Sequence, residues 1–594
     1  MLQQNFFCKN KLDVIIIILK IFVIIFAAYS VFGNFIPFYE GANPYYVGVT
    51  AVKFAEGEFI LSNELLEKYG TDEFVPSNWF ATNQNTAVPS HSAGLISLGS
   101  LFYLIGGYYG LFYLAPIFFI ILLVVSERIS SKIFGNVAGL ITLLILATSN
   151  LLYRISIELM TETVFSVFFI LGIFFTIKFV KERKNYQIFL ASSLFVYSTW
   201  IRMAGMISFP IEIIFLISYF VIIEIRTVKK NNKSIKFSSL CLHILDKRKV
   251  KRIFQISALL IIPWIILLLG NMIFFSYFFD DPMANYLTIE KTKNFDHTVD
   301  TLVEFESKDF ENMKHYSKYL LPYQIPGIYN QLDTNFDNYF GENWPGLIGL
   351  FFLFFIVFVS IKTKDHRIHI ILFTIFIISH VWFYSAITWE ERSVGDKEIP
   401  ARYMIPVFIL YSMIIGFIVQ KSLKLNIKKS HRIKKIIKFL TIMGLTIFFA
   451  GAFYFYPSVQ NGEIYFKDPN EYAEKYPLDL EEIPKNSIIL ASNSIRVIEY
   501  DGLISYDANP PRTQVYSVEL LKKLSDEGHE IYMFKKPFTY KTLEIRNTLV
   551  EEYKVILKEH SKTFCKVEFD DLKNTKSDEG CLNNEPIRIP YFMK

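Results

Sequence analysis

Near-continuous apolar runs alternate with polar connections along most of the chain. A helix crossing a bilayer core needs about 20 such residues. Runs of this kind fall near 13–36, 107–126, 137–152, 160–180, 186–201, 205–225, 253–279, 346–362, 368–387, 403–420 and 436–456. They predict a polytopic α-helical membrane protein with about 11 transmembrane helices. From Asp468 onward the pattern changes. Short β-type runs, Ser487 to Ser492 and Glu530 to Phe534, alternate with helical ones, Ser517 to Glu527 and Lys541 to Tyr553. A small α/β domain is expected there. The predicted organisation is a membrane module over 1–456, with polar loops at 37–92 and 280–345, followed by a soluble domain over 457–594.

Charge assigns a side to each connection. Lys and Arg collect in alternate ones: Lys9 and Lys11, Arg128 and Lys132, Lys178 to Lys184, Arg226 to Arg252, Lys362 to Arg367, and Lys421 to Lys438. The positive-inside rule makes these cytoplasmic. The intervening loops are acidic and polar, with Glu56, Glu58, Glu64, Glu67, Asp72 and Glu73 clustered in the first. An odd number of crossings from a cytoplasmic N-terminus then makes the C-terminal domain extracytoplasmic. The first apolar run exceeds a usual signal-peptide core, so a retained anchor is expected. Composition agrees with a membrane class: 52% of residues are hydrophobic, 59 are Phe, and the mean hydropathy is +0.32. The net charge of +5 is segregated by side, which argues for topology rather than nucleic acid. Cys8, Cys241, Cys565 and Cys581 show no CxxC spacing. Only Cys565 and Cys581 are expected to be able to pair, given an external domain.

Ionisable groups are costly inside a bilayer, so those at the outer helix ends become functional candidates. Glu40 follows the first helix in Phe38-Tyr39-Glu40-Gly41-Ala42-Asn43-Pro44-Tyr45-Tyr46; an ordinary loop carboxylate would look the same. Glu158 and Glu162 lie at an outer turn with i,i+4 spacing, which would place both on one helix face. A helix N-terminus, where the dipole favours negative charge, is the alternative for this pair. Arg202 stands alone between two apolar runs in Trp200-Ile201-Arg202-Met203-Ala204-Gly205, where a Trp–Arg interfacial anchor competes with a binding role. Arg402 opens a helix in Pro400-Ala401-Arg402-Tyr403-Met404-Ile405-Pro406, after Glu390, Glu391 and Arg392. An outer Arg defies the positive-inside trend, and its planar fork suits a phosphate. Snorkelling to lipid head groups is the competing account.

The order of these features resembles the GT-C superfamily of polyprenyl-phosphate-sugar glycosyltransferases, which includes protein mannosyltransferases and aminoarabinose transferases. The likeness rests on an acidic residue in the first external loop, here Glu40, and the Tyr-rich stretch with Tyr45. It continues through Ala51-Val52-Lys53-Phe54-Ala55-Glu56-Gly57 and Pro89-Ser90-His91-Ser92-Ala93-Gly94-Leu95, which resembles a Pro-led amphipathic helix. Leu159-Met160-Thr161-Glu162 resembles the family's Leu-Thr-Glu, Ile201-Arg202-Met203-Ala204-Gly205 its Thr-Arg-Pro-Glu-Gly, and Ala401-Arg402-Tyr403-Met404-Ile405-Pro406 its Pro-Arg-Tyr-Leu-Leu-Pro. Ile483-Pro484-Lys485-Asn486-Ser487-Ile488-Ile489 is similar to the start of the external domain that many members append.

The resemblance implies transfer of a sugar from a polyprenyl-phosphate donor to an extracytoplasmic acceptor, a protein, glycolipid or polymer. Glu40 would be the catalytic base, and Glu158, Glu162, Arg202, Arg402, Tyr403, Tyr45 and His91 would bind substrate. Many members carry an acidic pair in the first loop. This chain has Tyr39-Glu40-Gly41, so no Asp-x-Asp motif supports a metal, and no cofactor is expected. The Trp-Trp-Asp-Tyr-Gly motif of oligosaccharyltransferases is absent, which sets asparagine-linked transfer aside. Two other classes stay open. A transporter or flippase would place charges or helix breaks near mid-membrane and show inverted repeats. A non-catalytic sensor or assembly protein would use the external domain to hold a partner.

Overall fold

The computed structural model describes principally residues 11–33, 42–57, 79–81, 87–89, 93–230, 247–279, 366–386 and 402–423, with shorter stretches between 483 and 582. The helices are α1 (Lys11–Gly33), α2 (Ala42–Ala55), α3 (Ala93–Phe134), α4 (Asn136–Ala147), α5 (Asn150–Ile157), α6 (Thr161–Glu182), α7 (Asn185–Ile201), α8 (Ser208–Lys230), α9 (Lys247–Phe279), α10 (Arg367–Ala386) and α11 (Ile405–Leu423). A 3-10 turn, Met203–Ile207, joins α7 to α8. Among the described residues, five helices are long and apolar enough to cross a membrane: Asp13–Gly33, Tyr109–Phe134, Thr161–Glu182, Lys251–Tyr277 and Ile405–Leu423. The expected spans at 205–225 and 368–387 correspond to shorter apolar helices, Met203–Ser218 and Ile368–Phe383. Those at 346–362 and 436–456, and the loop 280–345, lie almost entirely outside the described residues.

The surface of these helices identifies their solvent. On α1, Val23, Ala27 and Val31 pack inward at 3.6-residue spacing, while Phe22 and Ile25 are each 62% exposed. On α9, Phe254, Ile266 and Ile273 are similarly bare. Leaving such side chains in water would cost about 1.5–3 kcal/mol each. Lipid removes that cost, and the chain is a membrane protein.

Three departures from the expected pattern shape one end of the bundle. The run at 137–152 is not one helix: α4 stops at Ala147, and Leu151–Ile157 turns away by 70°. Ser149 caps α5, its hydroxyl accepting from the Leu152 N–H at 3.3 Å; a cap is a local alternative that an apolar count does not register. Glu158 and Met160 are both extended, so Glu158 and Glu162 do not share a helix face as their spacing predicts. Helix α3 breaks at Gly106 and Gly107, the latter at φ +60°, a conformation that favours glycine.

Buried polar contacts tie the opposite end together. Lys20, inside the apolar run of α1, meets Glu127 of α3 at 2.5 Å and Ser131 at 2.9 Å. A charge in a spanning helix requires such a partner. Gln420 near the end of α11 accepts from the Ala138 N–H at 2.9 Å and donates to the Phe134 carbonyl. It thereby caps the start of α4, which has no side-chain cap of its own at Gly135. Gln420→Leu strands both backbone groups, so it is expected to cost about 1–3 kcal/mol, read as a lower unfolding midpoint in detergent. An unchanged midpoint would show that those groups are satisfied elsewhere.

The C-terminal part contains a five-stranded mixed sheet. Strands β3 (Ile488–Ala491), β4 (Ile504–Asp507) and β5 (Ile531–Phe534) are parallel, and β6 (Val555–Glu559) and β7 (Phe564–Phe569) add antiparallel, in the order β4-β3-β5-β7-β6. Helix α12 (Val518–Asp526) precedes β5. Both β-type runs and the first helical run are therefore present within a residue or two of expectation, whereas 541–553 lies almost wholly outside the described residues. A short hairpin, β1 (Trp79–Ala81) with β2 (Ala87–Pro89), precedes α3. Cys565 and Cys581 form the one pair expected to be possible, with Cα atoms 6.1 Å apart. Lys566 and Tyr532, opposite each other in register, both donate to Glu530, and they hold its carboxyl below the usual range.

Candidate functional site

Four of the sequence-selected residues converge where α6 begins, α7 ends and α11 starts. Glu162 stands in the first turn of α6, where the helix dipole favours a carboxylate. Its Oε1 takes a hydrogen bond from Arg202 Nη1 at 2.5 Å and lies 3.3 Å from Arg402 Nε. Arg202 also donates to the Thr161 hydroxyl at 3.3 Å. Both guanidinium groups lie against the Tyr403 ring, their Cζ atoms 4.2 Å and 5.2 Å from its centroid. Arg402 Nη2 reaches the Tyr403 hydroxyl at 3.4 Å.

Local backbone explains how these side chains meet. Arg202 leaves the helical register of α7 at φ −151°, and its N–H still bonds the Ser198 carbonyl at 2.8 Å. Its own carbonyl accepts from the Gly205 N–H at 2.9 Å, closing the turn. A Cβ on Gly205 would fall 2.6 Å from the Thr199 backbone nitrogen, so only glycine lets this turn fold back on α7. Arg402 and Tyr403 stand just before α11, whose first turn is marked by the Phe408 N–H bonding the Met404 carbonyl. The lysine-rich connection 181–184 lies at the far ends of α6 and α7.

The two guanidinium groups do unequal work. Arg202 is engaged by Glu162, Thr161 and the Tyr403 ring. Arg402 Nε is buried within ion-pair distance of Glu162, but it makes no hydrogen bond among the described residues. Among the described residues, the two guanidiniums share the Glu162 carboxylate at a largely buried site.

Glu158 is buried at the end of α5. Tyr45 falls in α2, with its side chain undescribed, and Glu40 and His91 lie outside the described residues. Among the described residues no group of three His, Cys, Asp or Glu side chains is placed to hold a metal. Sequence reasoning missed His380 of α10. It is buried, and its Nε2 is 3.0 Å from the Tyr403 carbonyl; its one signal was a titratable residue in an apolar run.

No protein-family model matches the chain, and no curated protein matches its sequence. Solved structures do. ArnT, an aminoarabinose transferase, from Cupriavidus metallidurans bound to undecaprenyl phosphate superposes with a TM-score of 0.51 at 10% identity, covering 95% of this chain and 99% of that one. The chain has the GT-C fold. ArnT in the apo state gives the same TM-score of 0.51 at 10% identity, over 93% of this chain and 97% of that one. The apo oligosaccharyltransferase of Archaeoglobus fulgidus reaches a TM-score of 0.49 at 10% identity, covering 96% of this chain and 76% of the other. The GT-C fold expected from the order of the motifs is thus the fold observed.

Proposed function

We propose that this chain is a membrane glycosyltransferase that moves a sugar from a polyprenyl phosphate to an extracytoplasmic acceptor. The observation that carries this reading is the Arg202–Glu162–Arg402–Tyr403 cluster: a buried cationic site at one end of a helical bundle whose fold is shared with a protein crystallised with undecaprenyl phosphate. The Cys565–Cys581 disulfide supports an oxidising compartment for the C-terminal domain. With basic connections at the far ends of the helices, the charge pattern supports the same side for the cluster.

In the proposed reaction Glu40 takes the proton of an acceptor hydroxyl as the oxygen attacks the anomeric carbon from the face opposite the phosphate. The bond between that carbon and the phosphate oxygen breaks, its electron pair leaves with the lipid phosphate, and the configuration inverts. A phosphate departs as a stable anion, so no second carboxyl is needed as a general acid. Positive charge near the departing oxygens is needed, and Arg402 supplies it. Its unbonded Nε and proximity to Tyr403 suit a bidentate anion, while Arg202 is the weaker second contact and fixes Glu162. Glu158 orients sugar or acceptor hydroxyls, and Tyr45 and His91 line the substrate path.

Arg402→Ala tests the reading. Truncating one partner of a buried charge pair costs about 2–5 kcal/mol, so polyprenyl phosphate should bind at least ~30-fold more weakly to purified Arg402→Ala protein by calorimetry, with acceptor KM little changed. A loss confined to the acceptor would mean that the two sides of the cavity are reversed. Unchanged binding of both would remove Arg402 from the site.

A further inference from the structure

The geometry points to His380 as a positioning residue that sets the Arg402–Tyr403 turn for phosphate binding, a role resting on the reading of the cluster above. His380 lies toward the end of α10, 1% exposed. A carbonyl only accepts, so the 3.0 Å contact with the Tyr403 oxygen requires the proton on Nε2. The regular bonding of α11 starts one residue later, where the Met404 carbonyl accepts from Phe408. The histidine therefore grips the backbone at the point where two site side chains, Arg402 and Tyr403, leave the chain.

What holds the histidine explains its fitness for that task. Its ring lies 6.1 Å from that of Phe169 on α6, the helix that carries Glu162. Phe169 packs edge-on against Phe195 of α7 and Phe376 of α10, with centroids 5.8 Å and 5.5 Å away. These helices bring Glu162, Arg202 and His380 to the cluster, so the aromatic layer fixes their relative heights. Arg402 comes from α11, and the bond from His380 registers its turn against that frame. Without this bond the frame would stand while the turn lost its reference. A guanidinium displaced by about 1 Å loses much of its effect at a preorganised site.

The chemistry separates positioning from mere packing. Phe fills the space of the imidazole but cannot donate. Gln places an amide nitrogen where Nε2 stands, whereas Asn places one nearer Nδ1. Purified full-length His380→Phe should bind polyprenyl phosphate about tenfold more weakly, with His380→Gln restored to within about twofold and His380→Asn resembling Phe. The measurement is the Kd of polyprenyl phosphate by calorimetry, alongside the unfolding midpoint. Unchanged Kd in His380→Phe with a lowered midpoint overturns the inference and leaves a packing role. Where His380→Phe does not accumulate, the Gln and Asn pair decides the question, equal Kd values overturning it. Arg402→Ala run in parallel keeps the two claims apart. If it binds normally, the reading of the cluster fails first; if it binds weakly while His380→Phe binds normally, only the role of His380 fails.

Discussion

Glu40→Gln is expected to lower the rate of sugar transfer by about 10²–10⁴-fold, the usual contribution of a positioned base, while the Kd of polyprenyl phosphate stays near its wild-type value. Gln keeps the size of the side chain and its ability to accept a hydrogen bond but cannot take a proton at working pH. The effect should fall on kcat rather than on donor binding, because in the proposed reaction the base meets the acceptor hydroxyl and the phosphate is held elsewhere. Both helices flanking Glu40 are anchored. Near the end of α1 the Ser30 carbonyl accepts from the Tyr153 hydroxyl of α5 at 3.3 Å. Helix α2 packs against α3 so closely that a Cβ on Gly99 would sit 2.9 Å from that of Ala51. The first of these contacts lies on α5, the helix leading to Glu158 and Glu162. Single-turnover transfer in proteoliposomes containing a polyprenyl-phosphate sugar measures the rate. Full activity in Glu40→Gln would end the claim that this residue is the base.

The sequence was most informative where burial acts on long stretches. Apolar runs located α1, α3, α6, α9 and α11, because a bilayer demands about 20 apolar residues whatever their neighbours. It was least informative where one backbone torsion decides. The separation of Glu158 from Glu162 follows from two extended residues at 158 and 160, and the i,i+4 spacing gave no hint of them. Helix α2 was hidden too: its Tyr-rich stretch resembled a loop, yet Pro44 sits in the first turn, where proline is tolerated. For the site, the useful signal was charge in the wrong place. Arg202 and Arg402 are 200 positions apart, and before the fold they were linked by their predicted outer side and by the resemblance of their two motifs to one family. Lys20 carried a similar signal, a charge inside an apolar run, whose pairing with Glu127 needed the packing of α1 on α3.

Glu162→Gln should be the most destabilising change at the cluster. The wild-type carboxylate is 3% exposed and serves both arginines through one oxygen. Removing one partner of a buried charge pair costs about 3–5 kcal/mol, and here the loss takes the same carboxylate from two guanidiniums that lie against one tyrosine ring. The unfolding midpoint in detergent should fall accordingly. The same argument predicts the remedy. An anion entering the site of the variant replaces the missing carboxylate, and a ligand that binds only the folded state stabilises it by RT ln(1 + [L]/Kd). Polyprenyl phosphate should therefore raise the midpoint of Glu162→Gln by more than it raises that of wild type, and should raise that of Arg402→Ala by less. On the proposed reading, Glu162 would be the resting counter-ion that incoming phosphate displaces from Arg402, while Arg202 keeps its hold through Thr161 and the carboxylate. An equal ligand-induced shift in Glu162→Gln and wild type would show that phosphate and carboxylate do not compete for the same guanidinium, and the assignment of Arg402 as the phosphate contact would fall with it.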